Sequence, residues 1–285
     1  MTKSRDPPMI SPWRKVVDKI MSVAVIVAVV LAVIPLVLIL GDVFVRGVPA
    51  INLAFLTRLP FGGIANAIVG SFTMVGLATF IAVPIGVGAG IFFSEWSSSK
   101  VSTVSGFMND VLTGFPSMVI GLFVFVIIVA TTKEFSAFAG AVALSFVMIP
   151  IIARATDESL RLVPMTLREA SMALGIARWK TVLRVVISTG KDGLLTGILL
   201  AVARATGETA PLLLTAATSD YFASSLFQRT ASLTVLIYNY GTSDSASLQA
   251  QAWGAALVLI LIMLALNLLV KLIVGRKLTE RGMEI

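Results

Sequence analysis

Six stretches of this sequence are apolar over about 20 residues or more, the length that a helix needs to cross the hydrocarbon core of a bilayer. They cover residues 16–40, 64–93, 111–130, 135–153, 193–215 and 253–274. A helix satisfies its own backbone hydrogen bonds in lipid, so each stretch predicts one transmembrane helix. With 57% hydrophobic and 13% charged residues, the chain is too apolar for an ordinary soluble domain. We therefore expect an all-α membrane protein with six transmembrane helices.

Lysine and arginine are concentrated in alternate connections between these stretches. An even number of spans puts both termini on one side of the membrane. If that side is the cytoplasm, 17 of the 22 basic residues lie inside, four lie outside, and Arg204 lies within a span. The N-terminal arm alone contributes Lys3, Arg5, Arg14, Lys15 and Lys19. Because cytoplasmic segments carry the excess of basic residues, the sequence predicts cytoplasmic termini. The net charge of +7 then needs no nucleic-acid partner.

The absence of two residue types removes several classes of function. The chain contains no cysteine and no histidine, which excludes disulfides, thiol nucleophiles, catalytic imidazoles and the usual zinc sites. A membrane-embedded enzyme would have to rely on isolated carboxylates such as Glu208. The sequence thus predicts neither a cofactor nor a metal site, and no catalytic residue.

Two charged residues stand inside the fifth apolar stretch. Arg204 and Glu208 are four residues apart, a spacing that places them on one side of a helix, and the polar or helix-breaking residues of this stretch extend the same side. These further members are Thr196, Pro211 and Thr215. Each charge costs about 2.5 to 3.5 kcal/mol at the centre of a membrane helix, so we expect this side to face a protected interior. Either an ion pair locks the helix to its neighbours, or the charged groups line a substrate path.

The third stretch carries a second polar feature. Pro116 and Ser117 lie within it, where a kink either frees backbone groups to line a cavity or only improves packing. Asn109 and Asp110 come just before, and we interpret them as an N-cap of this span.

The longest inner connection, residues 154–192, has the pattern helix, glycine, helix. Thr166 and Glu169 have the spacing of a capping box, and Gly175 follows as the left-handed residue that ends a short helix. One face of that helix contains Leu167, Ala170, Ser171 and Leu174. So short a helix is unstable alone, so it either packs under the spans or docks on a partner. Spacing alone leaves both alternatives open.

The residues REASMALG in this connection resemble the EAA loop of ABC-importer permeases. Glu169, Ala170 and Gly175 match the motif, whereas Ser171 replaces its second alanine and Ser188 replaces its usual proline. In that family the loop forms the coupling helix that sits in a cleft of the ATPase subunit. The resemblance therefore implies that Glu169, Ala170, Ser171, Leu174 and Gly175 form an ATPase-coupling site.

The resemblance extends to four other segments and narrows the family. They are GGIANAIVGS, GFPSMVIGLF, ARATGETAPLL and LQAQAWGAALVL, which are similar to segments of the phosphate-importer permeases. Among the two subunit types of these importers, the chain carries GETAP, where the PstC type usually reads GETM. The resemblance implies a type I ABC importer permease architecture, like that of MetI. It also implies that Arg204, Glu208, Thr209 and Ser117 belong to the pathway of the substrate, inorganic phosphate.

The family implies a domain organisation and a set of partners. Residues 1–62 would form a cytoplasmic arm, the first span and an outer loop; residues 63–275 the permease domain, with the EAA-like loop at about 157–190; and residues 276–285 a cytoplasmic tail. The expected partners are a second permease subunit (PstC-like), a cytoplasmic ATPase dimer (PstB-like) and an extracytoplasmic phosphate-binding protein (PstS-like). The expected location is the inner membrane of a bacterial cell.

Other functions remain to be compared with this one. A permease for sulfate, molybdate or phosphonate would share most of these features, as would the PstC-type subunit. A self-sufficient secondary transporter or channel would need no coupling helix and often shows internal repeats, and we find no such repeat.

Overall fold

The computed structural model describes residues 12–282, and nearly all of its ordered elements are helices. The basic residues Lys3 and Arg5, on which the orientation prediction partly depends, lie outside the described residues. The helices are α1 Pro12–Gly47, α2 Leu53–Thr57, α3 Ala65–Glu95, α4 Lys100–Gly114, α5 Ser117–Thr132, α6 Ala137–Arg161, α7 Met165–Ala173, α8 Arg178–Thr206, α9 Ala210–Thr215, α10 Leu233–Gly241 and α11 Ala246–Gly282. A single turn of 3₁₀ helix, Val48–Ala50, follows α1.

Within residues 12–282, five helices are long and apolar enough to cross a membrane, and a sixth span exists if α4 and α5 are counted together. The axes of α4 and α5 differ by 103°. The break falls at Phe115 and Pro116, both of which have extended backbones. The predicted third span, residues 111–130, is therefore not one straight helix: its first residues belong to α4 and the rest to α5.

The predicted N-cap at Asn109 and Asp110 is wrong. The hydroxyl of Ser99 accepts a hydrogen bond from the amide of Val101 and begins α4 ten residues earlier. Asn109 is buried near the end of α4, and its side-chain amide donates to the carbonyl of Pro150, 3.2 Å away. Asp110 forms an ion pair with Arg154 at 3.4 Å. Both residues thus attach α4 to α6.

The fifth predicted span is also interrupted. Residues 193–215 do not form one helix, because α8 ends at Thr206 and α9 begins at Ala210. Pro211 occupies the second position of α9, where its missing N–H removes no helical hydrogen bond. The polar residues from Thr196 to Thr215 therefore do not share one side of a continuous helix.

The core of the protein lies between α3 and α6. The fully buried side chains there include Met74, Leu144, Met148 and Ile152, and glycines of α3 allow the two backbones to approach closely. A Cβ on Gly90 would lie 2.5 Å from the carbonyl oxygen of Ala153. Small residues at such positions are what permits close packing between membrane helices. By contrast, the most apolar 18-residue window of α1 has no buried residue, as expected for a helix that faces lipid.

Candidate functional site

Arg204 lies in the last turn of α8, which ends at Thr206, just before the break in the fifth span. A cation is favourable there, because the last turn of a helix carries a partial negative charge. The Nε atom of Arg204 lies 3.5 Å from Oε1 of Glu208, which stands in the break itself. The side chain of Arg204 is 54% exposed and that of Glu208 16%. The two residues are therefore in contact, as their four-residue spacing allows, but they lie at a helix end.

The backbone of the break is fixed from two sides. The amide of Glu208 donates to the carbonyl of Ala205 at 3.2 Å. The carbonyl of Glu208 accepts a hydrogen bond from the hydroxyl of Thr234 on α10, at 3.0 Å. Because Thr234 is 5% exposed, this second bond forms in the interior. The break thus has a defined geometry and a defined position for the carboxylate.

Residues of α5 and α6 close the space beside Arg204. A small cavity is bordered by Arg204 together with Ser117, the first residue of α5, and with apolar side chains of α6. Val147 and Ile151 are the α6 residues that line it. The structure thus places Ser117 and Arg204 at one cavity. We call Ser117, Arg204, Glu208 and Thr209 the pathway cluster.

The position of α5 relative to the break depends on one close approach. A Cβ built on Gly121 would lie 2.6 Å from the Cα atom of Pro211 in α9. Carbon atoms in contact are normally separated by about 3.5 to 4.0 Å, so glycine is needed at this point. The contact fixes α5 against α9, and with it the distance between Ser117 and the break.

Two residues of the predicted polar side do not join the pathway cluster. Thr215 is fully buried, and its hydroxyl donates to the carbonyl of Pro211 at 2.7 Å. The hydroxyl of Thr196 donates to the carbonyl of Asp192 at 2.7 Å, two turns away from Arg204 along α8. Thr209, whose side chain is half-buried, directly precedes α9 and stays next to Glu208.

The chemistry of the pathway cluster suits an anion. A guanidinium carries five N–H donors in a planar fork, and one ion pair through Nε at 3.5 Å leaves donors for an oxyanion. The half-exposed side chain is open to a visiting ligand. The carboxylate of Glu208 lies beside the guanidinium, and its negative charge would weaken the attraction of Arg204 for an anion.

The EAA-like loop, residues 157–190, has the predicted pattern of helix, glycine and helix. Gly175 has a φ of +77°, in the left-handed region, and follows the end of α7 as predicted. The predicted capping box is wrong, because Thr166 is already the second residue of α7 and does not occupy the N-cap position. That position is held by Pro164, whose side chain has no atom that could accept a hydrogen bond from the helix amides.

Four of the five predicted coupling residues are accessible. Glu169, Ala170, Leu174 and Gly175 are exposed, with Leu174 at 81%. Ser171 is the exception, because it is buried and its hydroxyl lies 2.9 Å from that of Thr181 on α8. Ser171 therefore joins the two helices of the loop and does not contribute to its outer face.

Three residues at or next to this loop form a cluster that the sequence does not predict. Glu95, the last residue of α3, has a side chain that is only 5% exposed and pairs with Arg168 of α7 and Arg178 of α8. The sequence does contain one sign of this cluster: the carboxylate of Glu95 lies at the end of the second apolar stretch, and the later EAA-like loop is rich in arginine. Nothing in the spacing of these residues predicts which arginine meets which carboxylate.

Comparison with known proteins identifies a family. Residues 82–277 match the sequence model of the family described as binding-protein-dependent transport system inner membrane component. The chain is 39% identical over 271 residues to the phosphate transport system permease protein PstA of Haemophilus influenzae, covering 93% of this chain and 96% of that protein. It is 44% identical to the PstA protein of Xylella fastidiosa strain Temecula1, over 78% of this chain and 80% of that one.

Solved structures share the fold. The inward-facing MetNI methionine ABC transporter has a chain that superposes with a TM-score of 0.64 at 17% identity, covering 75% of this chain and 95% of that one. A chain of a bacterial alginate ABC transporter superposes with a TM-score of 0.68 at 11% identity, covering 93% of this chain and 97% of that one.

Proposed function

The chain belongs to the family of binding-protein-dependent transport system inner membrane components, and we infer that it is the PstA-type permease subunit of a phosphate ABC importer. It is a multi-pass membrane protein. The relatives named PstA are 37–44% identical over most of their length. The observation that carries the function is Arg204, a half-exposed guanidinium at a helix break within a membrane span.

In our proposal Arg204 does not face lipid. A charged side chain in the membrane interior costs about 2.5 to 3.5 kcal/mol, and the ion pair with Glu208 returns only a fraction of that. A side chain that is 54% exposed on the single subunit must therefore meet water, substrate or another subunit in the membrane. A pathway formed jointly with a second permease subunit meets this requirement.

The alternatives have less support. Relatives with the PstA name favour phosphate over sulfate, molybdate or phosphonate, and favour this subunit type over the PstC type. A self-sufficient secondary transporter would not need the exposed helix of the EAA-like loop. In our proposal the chain is not itself an enzyme, since a separate PstB-like ATPase dimer hydrolyses ATP.

The remaining partners and the location follow from the same proposal. The chain lies in the inner membrane of a bacterial cell with both termini in the cytoplasm. It pairs with a PstC-like permease subunit and receives phosphate from an extracytoplasmic PstS-like binding protein. The exposed residues of the EAA-like loop, Glu169, Ala170, Leu174 and Gly175, contact the ATPase.

Transport by the reconstituted complex tests the function. In proteoliposomes that hold this chain with its second permease subunit and ATPase, labelled phosphate should enter only with ATP and loaded binding protein. We expect unlabelled phosphate to compete and sulfate, molybdate and a phosphonate to leave uptake unchanged. Stronger competition by one of these anions would assign the chain to that substrate, and uptake without the ATPase would support a secondary transporter.

Orientation and docking can be tested together, because the chain has no cysteine. We expect Ser247→Cys, at the exposed start of α11, to react with an impermeant maleimide applied to intact cells. Leu174→Cys should react only in inside-out vesicles stripped of the ATPase, and rebinding the ATPase should protect it.

Each outcome of the labelling experiment decides one point. Reaction of Leu174→Cys in intact cells would reverse the orientation. Equal reaction rates with and without the ATPase in vesicles would contradict docking at the EAA-like loop, whatever the orientation.

A further inference from the structure

We propose that Glu95 is the positioning residue that holds the EAA-like loop on the cytoplasmic end of α3, so that movement of the ATPase reaches the spans. This inference rests on the proposed function. It concerns a residue that lies 73 positions before its main partner in the chain, outside the EAA-like loop itself.

The first observation is the burial of the ion pair. The side chain of Glu95 is 5% exposed and that of Arg168 is 13% exposed, and Nη1 of Arg168 donates directly to Oε1 of Glu95. Among the charged side chains described in residues 12–282, most ion pairs are far more exposed, such as Arg46 with Asp42 at 57% and 60%. An exposed pair contributes little to a structure, whereas removing one partner of a buried pair leaves a charge without compensation.

The second observation is that Glu95 contacts both helices of the loop. Nη2 of Arg178, at the start of α8, lies 3.9 Å from Oε2 of Glu95 and donates to its backbone carbonyl at 2.5 Å. The guanidinium of Arg178 also lies over the ring of Trp96, 5.3 Å from its centroid. Glu95 thus contacts the helix before Gly175 through its carboxylate and the helix after it through both its carboxylate and its backbone carbonyl.

The third observation links the same cluster to α6. Nη2 of Arg168 donates to the carbonyl of Leu160 at 2.7 Å, within the last turn of that helix. The ends of α3 and α6 are therefore attached to α7 through one guanidinium. Since α3 and α6 form the core, and α6 supplies Val147 and Ile151 beside Arg204, the attachment joins the loop to the helices that border the pathway cluster.

The fourth observation explains why polar contacts, and not apolar packing, position α7. A cleft of about 580 Å³ lies between α7 and the ends of α3 and α6, bordered by residues that include Ser94, Val163 and Met172. Apolar packing therefore does not fill the space under the loop. The fixed positions of Arg168 and Arg178 around Glu95 set the height and angle of α7.

The experiment compares transport with ATP consumption in the complete complex. Glu95→Gln keeps the shape of the side chain and removes its charge, and Glu95→Asp keeps the charge. The matched control is Asp42→Asn, which neutralises the acid of the exposed pair with Arg46 at the far end of α1. For each variant, proteoliposomes are assayed for assembled complex, for ATP hydrolysis and for labelled phosphate uptake.

We expect Glu95→Gln to assemble and hydrolyse ATP but to lower phosphate transported per ATP by about tenfold, within the range typical of coupling between two sites. Glu95→Asp should recover most of that ratio, and Asp42→Asn should match the wild type. An unchanged ratio for Glu95→Gln overturns the proposal. So does an equal loss in Glu95→Gln and Glu95→Asp, which would mark a merely structural site.

A second measurement covers a variant that fails to assemble and separates this inference from the proposed function. Spin labels on Met165→Cys in α7 and Val104→Cys in α4, both exposed, report the position of the loop without any transport. Arg168→Lys keeps the charge but loses the second hydrogen bond, and it should broaden the distance distribution. A distribution identical to the wild type overturns the positioning role, whereas a wild type that transports no phosphate overturns only the proposed function.

Discussion

Arg204→Ala is expected to abolish phosphate uptake while the complex still assembles and hydrolyses ATP. The substitution removes the only charged donor that the described structure places beside Ser117 in the pathway cluster. Because its side chain is 54% exposed, its loss opens no void in the core. Arg204→Lys should restore uptake only in part, since an ammonium group lacks the planar fork that binds an oxyanion through two parallel hydrogen bonds.

The measurement is labelled phosphate uptake alongside the amount of assembled complex and its ATP hydrolysis. Arg46→Ala is the matched control, because Arg46 and Asp42 form an exposed pair at the same four-residue spacing, 3.7 Å apart. We expect that control to transport normally. The charge-swapped double variant, Arg204→Glu with Glu208→Arg, decides between the two interpretations. Full transport by the swap would show that the two residues only form a structural ion pair.

Gly121→Val is expected to remove functional transporter from the membrane. Even the Cβ atom would lie 2.6 Å from Cα of Pro211, and backbone cannot withdraw as a flexible side chain can. Overpacking of this kind costs about 1 to 3 kcal/mol or more, and relief requires α5 and α9 to separate. Separation would also move Ser117 away from the break. We therefore expect both assembled complex and uptake to fall below about a tenth of wild type.

A glycine in the neighbouring helix supplies the control for Gly121. A Cβ on Gly106 in α4 would meet no atom within 4 Å, so Gly106→Ala should leave both assembly and uptake intact. The assay is extraction in mild detergent, quantification of complex and uptake in proteoliposomes. Wild-type uptake by Gly121→Val would show that α5 and α9 do not meet as described.

The positions of most spans could be predicted, because they depend on local composition. The stretch 64–93 became α3 Ala65–Glu95 as one helix despite Pro84, and 135–153 became the first part of α6. The left-handed conformation of Gly175 could also be predicted, since a glycine after a short helical run commonly ends the helix. The two helix breaks were harder to predict. Pro116 and Gly207 can disrupt a helix, but hydropathy averaged over a whole span does not show where the helix stops.

In the candidate site, too, local pairs could be predicted from the sequence and long-range contacts could not. Arg204 with Glu208 is a local pair, four residues apart, and was found from the sequence. Helical spacing put Ser171 on one face of the short helix, and the family resemblance implied that it contacts the ATPase, but the structure buries it against the hydroxyl of Thr181 on α8. Asn109 was read as a cap and instead donates to Pro150, 41 residues away.

The sequence by itself determined that this chain is a helical membrane protein of a known permease family, and it located the charges and the loop that matter. Those properties reside in composition, short-range spacing and motif, which need no knowledge of neighbours. Only the tertiary structure decided that α8 stops beside Arg204, that Gly121 meets Pro211, and that Glu95 holds Arg168. These contacts join residues far apart in the chain, and they form because helix packing brings those particular side chains within hydrogen-bond or van der Waals distance.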